Sequence, residues 1–368
     1  MSRDEEIEGV DDAVGGLNDY PLDAVFVRTE TRTVNEVVKR IQNNRYILDP
    51  DFQRDFVWTP LQQSKLIESC VMRIPLPVFY VAEAPDGRII VVDGLQRLTT
   101  FARFLGGELR LTGFARDDQG NAHALEGKFF NDLALNIQER IQDTQLTMCI
   151  LDAKAPERAR LDIFERVNSG EILTRQQMRN ALYSGPATKW LKDAARSENF
   201  QKATDGKLNH KTMRDREAIN RFCAFKLLGL ENYKTGDMDS FLADGLRKLS
   251  NIPEVERGAL FVSFDEAMII NRELFGDHAF RKSLPSPENN AARTVINISL
   301  FEVCAVTMSE YKLSQLRENA ESLREAIVEE MAWKSVFDEA ITYSTNSTRA
   351  VQARFSIMQN LLSRVLKP

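Results

Sequence analysis

Val91-Val92-Asp93-Gly94-Leu95-Gln96-Arg97-Leu98-Thr99-Thr100 is the stretch on which the fold turns. Ile89 to Val92 is apolar at four consecutive positions, as a buried strand is, and it ends at Asp93-Gly94. Leu98, Phe101, Ala102 and Leu105 then recur at helical spacing and stop at Gly106-Gly107. The unit is strand, glycine turn, helix. Such a turn delivers a carboxylate, lets the backbone approach a ligand and opens a helix with its N–H groups and positive dipole end exposed, which suits a phosphate. Arg97 adds a guanidinium fork matched to phosphate oxygens, and Gln96, Thr99 and Thr100 add neutral hydrogen-bonding groups. Asp93 can hold a magnesium-bound water, accept from a ribose hydroxyl, or cap the helix and pair with Arg97 for stability alone.

Toward the N-terminus, Val78 to Ala82 is a second β-rich run, and Pro85-Asp86-Gly87-Arg88 has the residues of a tight turn, so the two runs predict a hairpin. A helix from about Pro60 precedes it, with Leu66, Ile67, Cys70, Val71 and Ile74 on its apolar side and Pro75-Leu76-Pro77 as its stop. Thr33 with Glu36 fits a capping box ahead of Val34, Val37, Val38 and Ile41, a short amphipathic helix. Between these helices, Asp51-Phe52-Gln53-Arg54-Asp55-Phe56-Val57-Trp58 sets Gln53 and Arg54 among aromatic residues. Arg54 can clamp a second phosphate, while Phe52, Phe56 and Trp58 either frame a base or, the better reading, pack the core.

Toward the C-terminus, Asp117 to Asn121 reads as a loop and Gln145 to Leu151 as one more strand. Helical periodicity dominates after Asp152, broken near Ser184-Gly185-Pro186, Asn251 to Pro253 and Ser283 to Asn290. The fold class is therefore α+β: an acidic disordered tail over 1–20, a small mixed α/β domain over 21–153 and a mostly helical domain over 154–368. A third polar segment, Phe164 to Gln177, reads as helix end, turn and new helix, with Thr174 and Gln177 at capping-box spacing. Arg166 and Asn168 lie in it, either as part of a ligand rim or as an ordinary turn.

Taken in order, Asp51-Phe52-Gln53-Arg54 with Val57-Trp58, Ile74-Pro75-Leu76-Pro77, Val92 to Thr100 and Phe164-Glu165-Arg166-Val167-Asn168 closely resemble the N-terminal domain of GmrSD-type restriction proteins. That domain is related to the ParB/sulfiredoxin superfamily. The resemblance runs through residues 30 to 185 and continues weakly through Met213-Arg214-Asp215-Arg216 and Asn346 to Phe355. It implies a ParB/sulfiredoxin-like nucleotide-binding domain in which an Asp-Gly-Gln-Gln-Arg motif binds a nucleoside triphosphate and supports its hydrolysis, in defence against foreign DNA. Carried onto this chain, Asp93, Gln96 and Arg97 become the catalytic candidates and Asp93 the ligand for Mg2+. Gln53, Arg54, Gly94, Arg97, Thr99, Thr100, Arg166 and Asn168 become the nucleotide contacts. Two departures stand out. Leu95 occupies the place of the first glutamine and can neither donate nor accept a hydrogen bond. The last histidine is His278, so the His-containing C-terminal nuclease of many relatives is not found, and a separate nuclease or other effector chain is expected to do any cutting. The alternative is a ParB-like protein whose nucleotide gates binding to DNA or a partner with little turnover, and a third reading is an interaction protein that has lost the site.

Composition narrows the remaining choices. With 43% hydrophobic and 28% charged residues the 368-residue chain is an ordinary globular protein, and no apolar run approaches a membrane span of ~20 residues. The acidic N-terminus lacks the basic head and apolar stretch of a secretory signal, so a cytoplasmic protein is expected. Cys70, Cys149, Cys223 and Cys304 lie far apart in apolar stretches and read as buried reduced thiols. His123, His210 and His278 are too few and scattered for a zinc cage or an HNH-type centre. The formal charge of −6 resides in the first twenty residues, where seven acids face one base, and the body from Pro21 on is neutral. Within that body, Glu171 to Leu230 nets +6 and residues 231 to 340 net −8. Lys211, Arg214 and Arg216 in the basic block are the candidate DNA contacts, set against the plainer reading of a solvated face paired with nearby acids. The acidic tail is expected to mimic DNA and cover that block.

Overall fold

A computed structural model of the chain describes residues 27–48, 58–84, 86–114, 119, 123–155, 157–167, 174–285 and 292–366. The acidic tail, Gln53, Arg54 and Asn168 lie outside them, and so does the side chain of Arg166. The chain divides between Leu182 and Tyr183 into two compact units.

The first unit runs β1 (Val27–Thr33), α1 (Val34–Gln42), β2 (Tyr46–Ile47), α2 (Pro60–Val71), β3 (Phe79–Glu83), β4 (Ile89–Asp93), α3 (Leu95–Leu105), α4 (Leu135–Gln142), β5 (Gln145–Leu151), α5 (Glu157–Val167) and α6 (Arg175–Leu182). Its five strands form one mixed sheet in the order β1-β5-β3-β4-β2. β3 and β4 are the expected antiparallel hairpin, with Val81 opposite Val91, while β3 runs parallel to β5 and β2 parallel to β4. β4 is next to the last strand on its side, and Ile89 to Val92 are all buried. This is why it reads as an unbroken apolar run rather than an alternating one. Each such side chain contributes about 1.5–3 kcal/mol by leaving water.

The helix starts are chemically specified. Thr33 caps α1 by accepting from the Glu36 N–H at 3.1 Å. Thr59 and Gln62 form a full capping box ahead of Pro60. Thr174 and Gln177 exchange the same pair of bonds at α6. α2 ends at Val71, earlier than its apolar pattern implies: Arg73 takes a positive φ, and Ile74 falls outside the helix, 46% exposed. β1 has no counterpart among the sequence expectations, because Val-Arg-Thr-Glu-Thr-Arg-Thr is polar at most positions; it forms by pairing with β5 along all seven residues at the sheet edge. The unit boundary also falls later than the change of periodicity at 153. Arg160 donates to the Glu83 carbonyl of β3 at 3.3 Å, and α6 contacts β4, so α5 and α6 belong with the sheet.

The second unit comprises α7 (Pro186–Ala195), α8 (Glu198–Thr204), α9 (Arg214–Leu228), α10 (Met238–Asn251), α11 (Glu254–Phe275), α12 (Ile298–Met308), α13 (Leu313–Glu318), α14 (Ala320–Glu330), α15 (Val336–Thr342) and α16 (Thr348–Val365). Asp215 to Phe225 on α9 and all of α12 are buried, so these two helices form the centre of the bundle with no solvent face along those stretches. Cys70, Cys223 and Cys304 are buried unpaired thiols, and burial pushes Cys70 up to about 11 and Cys304 up to about 12. Cys149, expected to be buried, is partly exposed.

Candidate nucleotide corner at the end of β4

Asp93 is the last residue of β4, opposite Tyr80, and Gly94 makes the turn into α3. Gly94 has φ of +104°, which disfavours any side chain, and a Cβ there would collide with the Phe79 ring. The glycine is thus required by packing of β3 against the turn. Among the described residues no side chain caps the N-terminus of the eleven-residue α3. The Asp93 side chain is 41% exposed beside it.

Three separated sequence segments meet at this corner. Arg97 donates from Nη2 to Asp93 Oδ2 at 2.8 Å and to the Val78 carbonyl at 3.2 Å, and from Nη1 to the Pro77 carbonyl. Its guanidinium carbon also lies 4.1 Å from the centre of the Phe79 ring. Gln96 Oε1 accepts from the Trp58 N–H at 3.3 Å, and the Trp58 carbonyl accepts from Gln63 Nε2 at 3.0 Å. The Trp58 segment, the Pro75-Leu76-Pro77 segment and the Asp93 turn are therefore tied by two side chains, Gln96 and Arg97.

The geometry changes the roles of several candidates. Arg97 is 11% exposed and turned inward, and burial lowers its pKa from the ordinary arginine value against the opposing effect of Asp93. In this arrangement it fixes the carboxylate and the proline loop rather than reaching outward as a phosphate clamp. Thr100 is fully buried with its hydroxyl donating to the Gln96 carbonyl, so it faces the core; Thr99 is partly exposed. Leu95 is partly buried and packs against the apolar core, as Trp58 does. Asp93 and Gln96 are partly exposed polar side chains at the corner.

Residues 34–184 match the family described as GmrSD restriction endonuclease, N-terminal domain. The match spans strands β2 to β5, the corner and α6, leaving β1 just outside it, and it agrees with the resemblance carried by the GmrSD-type motifs. No curated protein and no solved structure matches the chain.

In the helical unit, the basic block is only partly a surface. Arg179, Arg216 and Arg221 are buried, Arg179 belonging to α6 of the first unit, and Arg214 pairs with Glu217 at 2.9 Å. Of the three candidate DNA contacts, Lys211 alone is exposed. Sequence could not separate these, because charge counts carry no information about side. Among the described residues no group of three or more His, Cys, Asp or Glu side chains converges to hold a metal ion, and no helix is long and apolar enough to cross a membrane.

Proposed function

We propose that the Asp93 corner binds a nucleoside triphosphate and supports its hydrolysis, and that the protein is a sensing or regulatory component of a restriction system. The observation that carries this reading is the convergence of three GmrSD-type motif segments on the N-terminus of α3, with a half-exposed carboxylate beside it. The positive dipole end of α3 suits the phosphates, and Gln96, which holds the Trp58 N–H, is partly exposed at the same mouth. Asp93 with the nucleotide's own phosphate oxygens fits Mg2+, which takes one or two carboxylates and keeps its remaining places for phosphate and water. When bound, the ion would neutralise charge developing on the transferred phosphoryl group. The chain's part is to hold the Asp93 carboxylate in place through Arg97.

A second reading rests on Arg97 and Leu95. With the arginine turned inward and an apolar residue packed where the motif has its first glutamine, the corner supplies contacts for affinity but few groups to poise a water. A ParB-like protein in which nucleotide gates binding of DNA or a partner chain is then the alternative, with a separate nuclease or effector doing the cutting.

Binding and phosphate release with each of the four NTPs and Mg2+, in wild type, Asp93→Asn and Arg97→Ala, test both readings. Arg97→Ala releases the Asp93 carboxylate and the Pro77 loop and is expected to lose about 1.5 kcal/mol of nucleotide affinity, the scale of the charge-assisted bond to Asp93 that is removed. Asp93→Asn, which keeps the shape, is expected to lose release more than binding. Failure of every NTP to bind the wild type ends both readings; binding without release, with or without DNA, selects the second.

A further inference from the structure

β1 ends the sheet on one side: its seven residues pair antiparallel with β5, from Val27 opposite Leu151 to Thr33 opposite Gln145. Among the described residues no segment other than β5 bonds to the backbone of residues 27–31, and Val27, Arg28, Thr29 and Thr31 are exposed. Such an edge presents a row of N–H and C=O groups to any strand that can lie beside it. The side chains alternate, with Arg28, Glu30 and Arg32 on one face and Thr29, Thr31 and Thr33 on the other. Arg28 is 42% exposed; it donates from Nε to Glu30 at 3.0 Å and from Nη1 to Glu83 at 2.9 Å, and its Nη2 makes no hydrogen bond. Arg32 is only 10% exposed and is committed inward, to the Tyr46 hydroxyl at 2.7 Å and to Glu30. An edge guarded against its own copies carries charges of one sign, whereas this one carries both signs in alternation.

We propose that β1 pairs antiparallel with β1 of a second copy of this chain, about a two-fold axis through Thr29, joining the two sheets edge to edge. The register follows from charge. Residues directly opposite each other share a face, so the axis must pass through a residue of the strand. An axis through Glu30 would oppose Glu30 to the partner's Glu30 and Arg28 to the partner's Arg32, like charges at every crossing. An axis through Thr31 would rely on Arg32, which is already held by Tyr46. The axis through Thr29 sets Arg28 of each copy opposite the partner's Glu30, Thr29 opposite the partner's Thr29 and Val27 opposite the partner's Thr31. Opposite-charge and Thr–Thr pairs are both favourable cross-strand neighbours. Arg28 reaches the facing carboxylate through Nη2 without giving up Glu83. The interface is isologous, so the same two charges serve both copies.

Sedimentation velocity of the full chain, from about 1 to about 100 µM at low salt where surface pairs are least screened, reads the association directly. Wild type is expected to pass from monomer to dimer over that range. Arg28→Glu and Glu30→Arg each place like charges at both crossings and are expected to weaken dimerisation by about tenfold or more. An equimolar mixture of these two variants again has opposite charges at both crossings and is expected to recover the dimer, which misfolded chains would not do. Arg28→Glu/Glu30→Arg within one chain keeps the net charge and is expected to dimerise as wild type does. Lys248→Glu, at an exposed lysine of α10, changes the net charge as Arg28→Glu does and is expected to leave the dimer unaltered. A dimer indifferent to Arg28→Glu, or single variants that stay apart when mixed, overturns the pairing. A wild type that is monomeric at every concentration overturns it as well and leaves the edge to a strand of a different chain. No nucleotide is present in the experiment, so its outcome is independent of the Asp93 corner.

Discussion

Arginine meets carboxylate both at the Asp93 corner and in the middle of the helical bundle, with opposite results. In the bundle, Glu302 of α12 accepts from Arg221 Nη1 of α9 at 2.9 Å through one oxygen, and from Arg354 Nε of α16 at 2.9 Å and its Nη2 through the other. Arg354 also donates to the Thr345 and Ala340 carbonyls, Arg221 to Asn346 Oδ1, and Tyr233 Oη to the Asn346 carbonyl. All three charged side chains are 1% exposed or less. At the corner the arginine is also held by several internal acceptors, but its carboxylate stays 41% exposed beside the N-terminus of α3. An ion pair whose acceptor is saturated inside the protein is a strut; one whose carboxylate still faces water beside a dipole end is able to meet a ligand.

The largest test of that contrast is in the bundle. Glu302→Gln leaves two buried cations short of their counter-charge and should cost about 3–5 kcal/mol in urea unfolding, followed through the buried Trp190. Replacing the set together, Arg221→Met/Glu302→Leu/Arg354→Met, should cost less than Glu302→Gln alone, because no charge is then stranded. A loss below ~1 kcal/mol for Glu302→Gln would mean the network is not a strut.

Next in size is Gly94→Ala. The new Cβ meets the Phe79 ring and sits at a φ of +104°, so a loss of about 2 kcal/mol or more is expected together with weaker nucleotide binding. Phe79→Leu added to it should restore part of the stability by removing the ring, and no restoration would place the whole cost in the backbone.

Arg97→Lys separates a latch from a clamp. Lysine keeps the charge but cannot reach Pro77, Val78 and Asp93 at once, so as a latch it should fall close to Arg97→Ala in both stability and nucleotide affinity, within ~0.5 kcal/mol. Retention of wild-type affinity by lysine would show that a point charge at the phosphates is what the position supplies.

Legibility in the sequence follows the same division. The hairpin, the glycine turn, α3, β5 and the Thr33 cap are readable because each is fixed by residues within a few positions. β1 is not, since a polar segment becomes a strand only by pairing with β5 more than a hundred residues later. The motif points to Arg97 but not to its direction: its carbonyl partners lie nineteen and twenty residues back, and nothing local marks them. The +6 block overstates the basic surface because the buried Arg221 answers to Glu302, eighty-one residues away.

The smallest expected effect falls on Leu95, where stability and chemistry pull apart. Its side chain is partly buried against the core, so Leu95→Gln exchanges apolar contact for an amide and should cost no more than about 1 kcal/mol. The same change restores the full Asp-Gly-Gln-Gln-Arg motif beside the half-exposed Asp93. If the corner binds nucleotide but lacks a group to poise the attacking water, phosphate release should rise while affinity stays within about threefold of wild type. Steady-state release and nucleotide titration on one preparation measure the two together. A rise in rate at unchanged affinity identifies Leu95 as the brake on an otherwise complete site; no change in rate despite firm binding makes the corner a gate, and places the work of the protein in what nucleotide binding does to its partners.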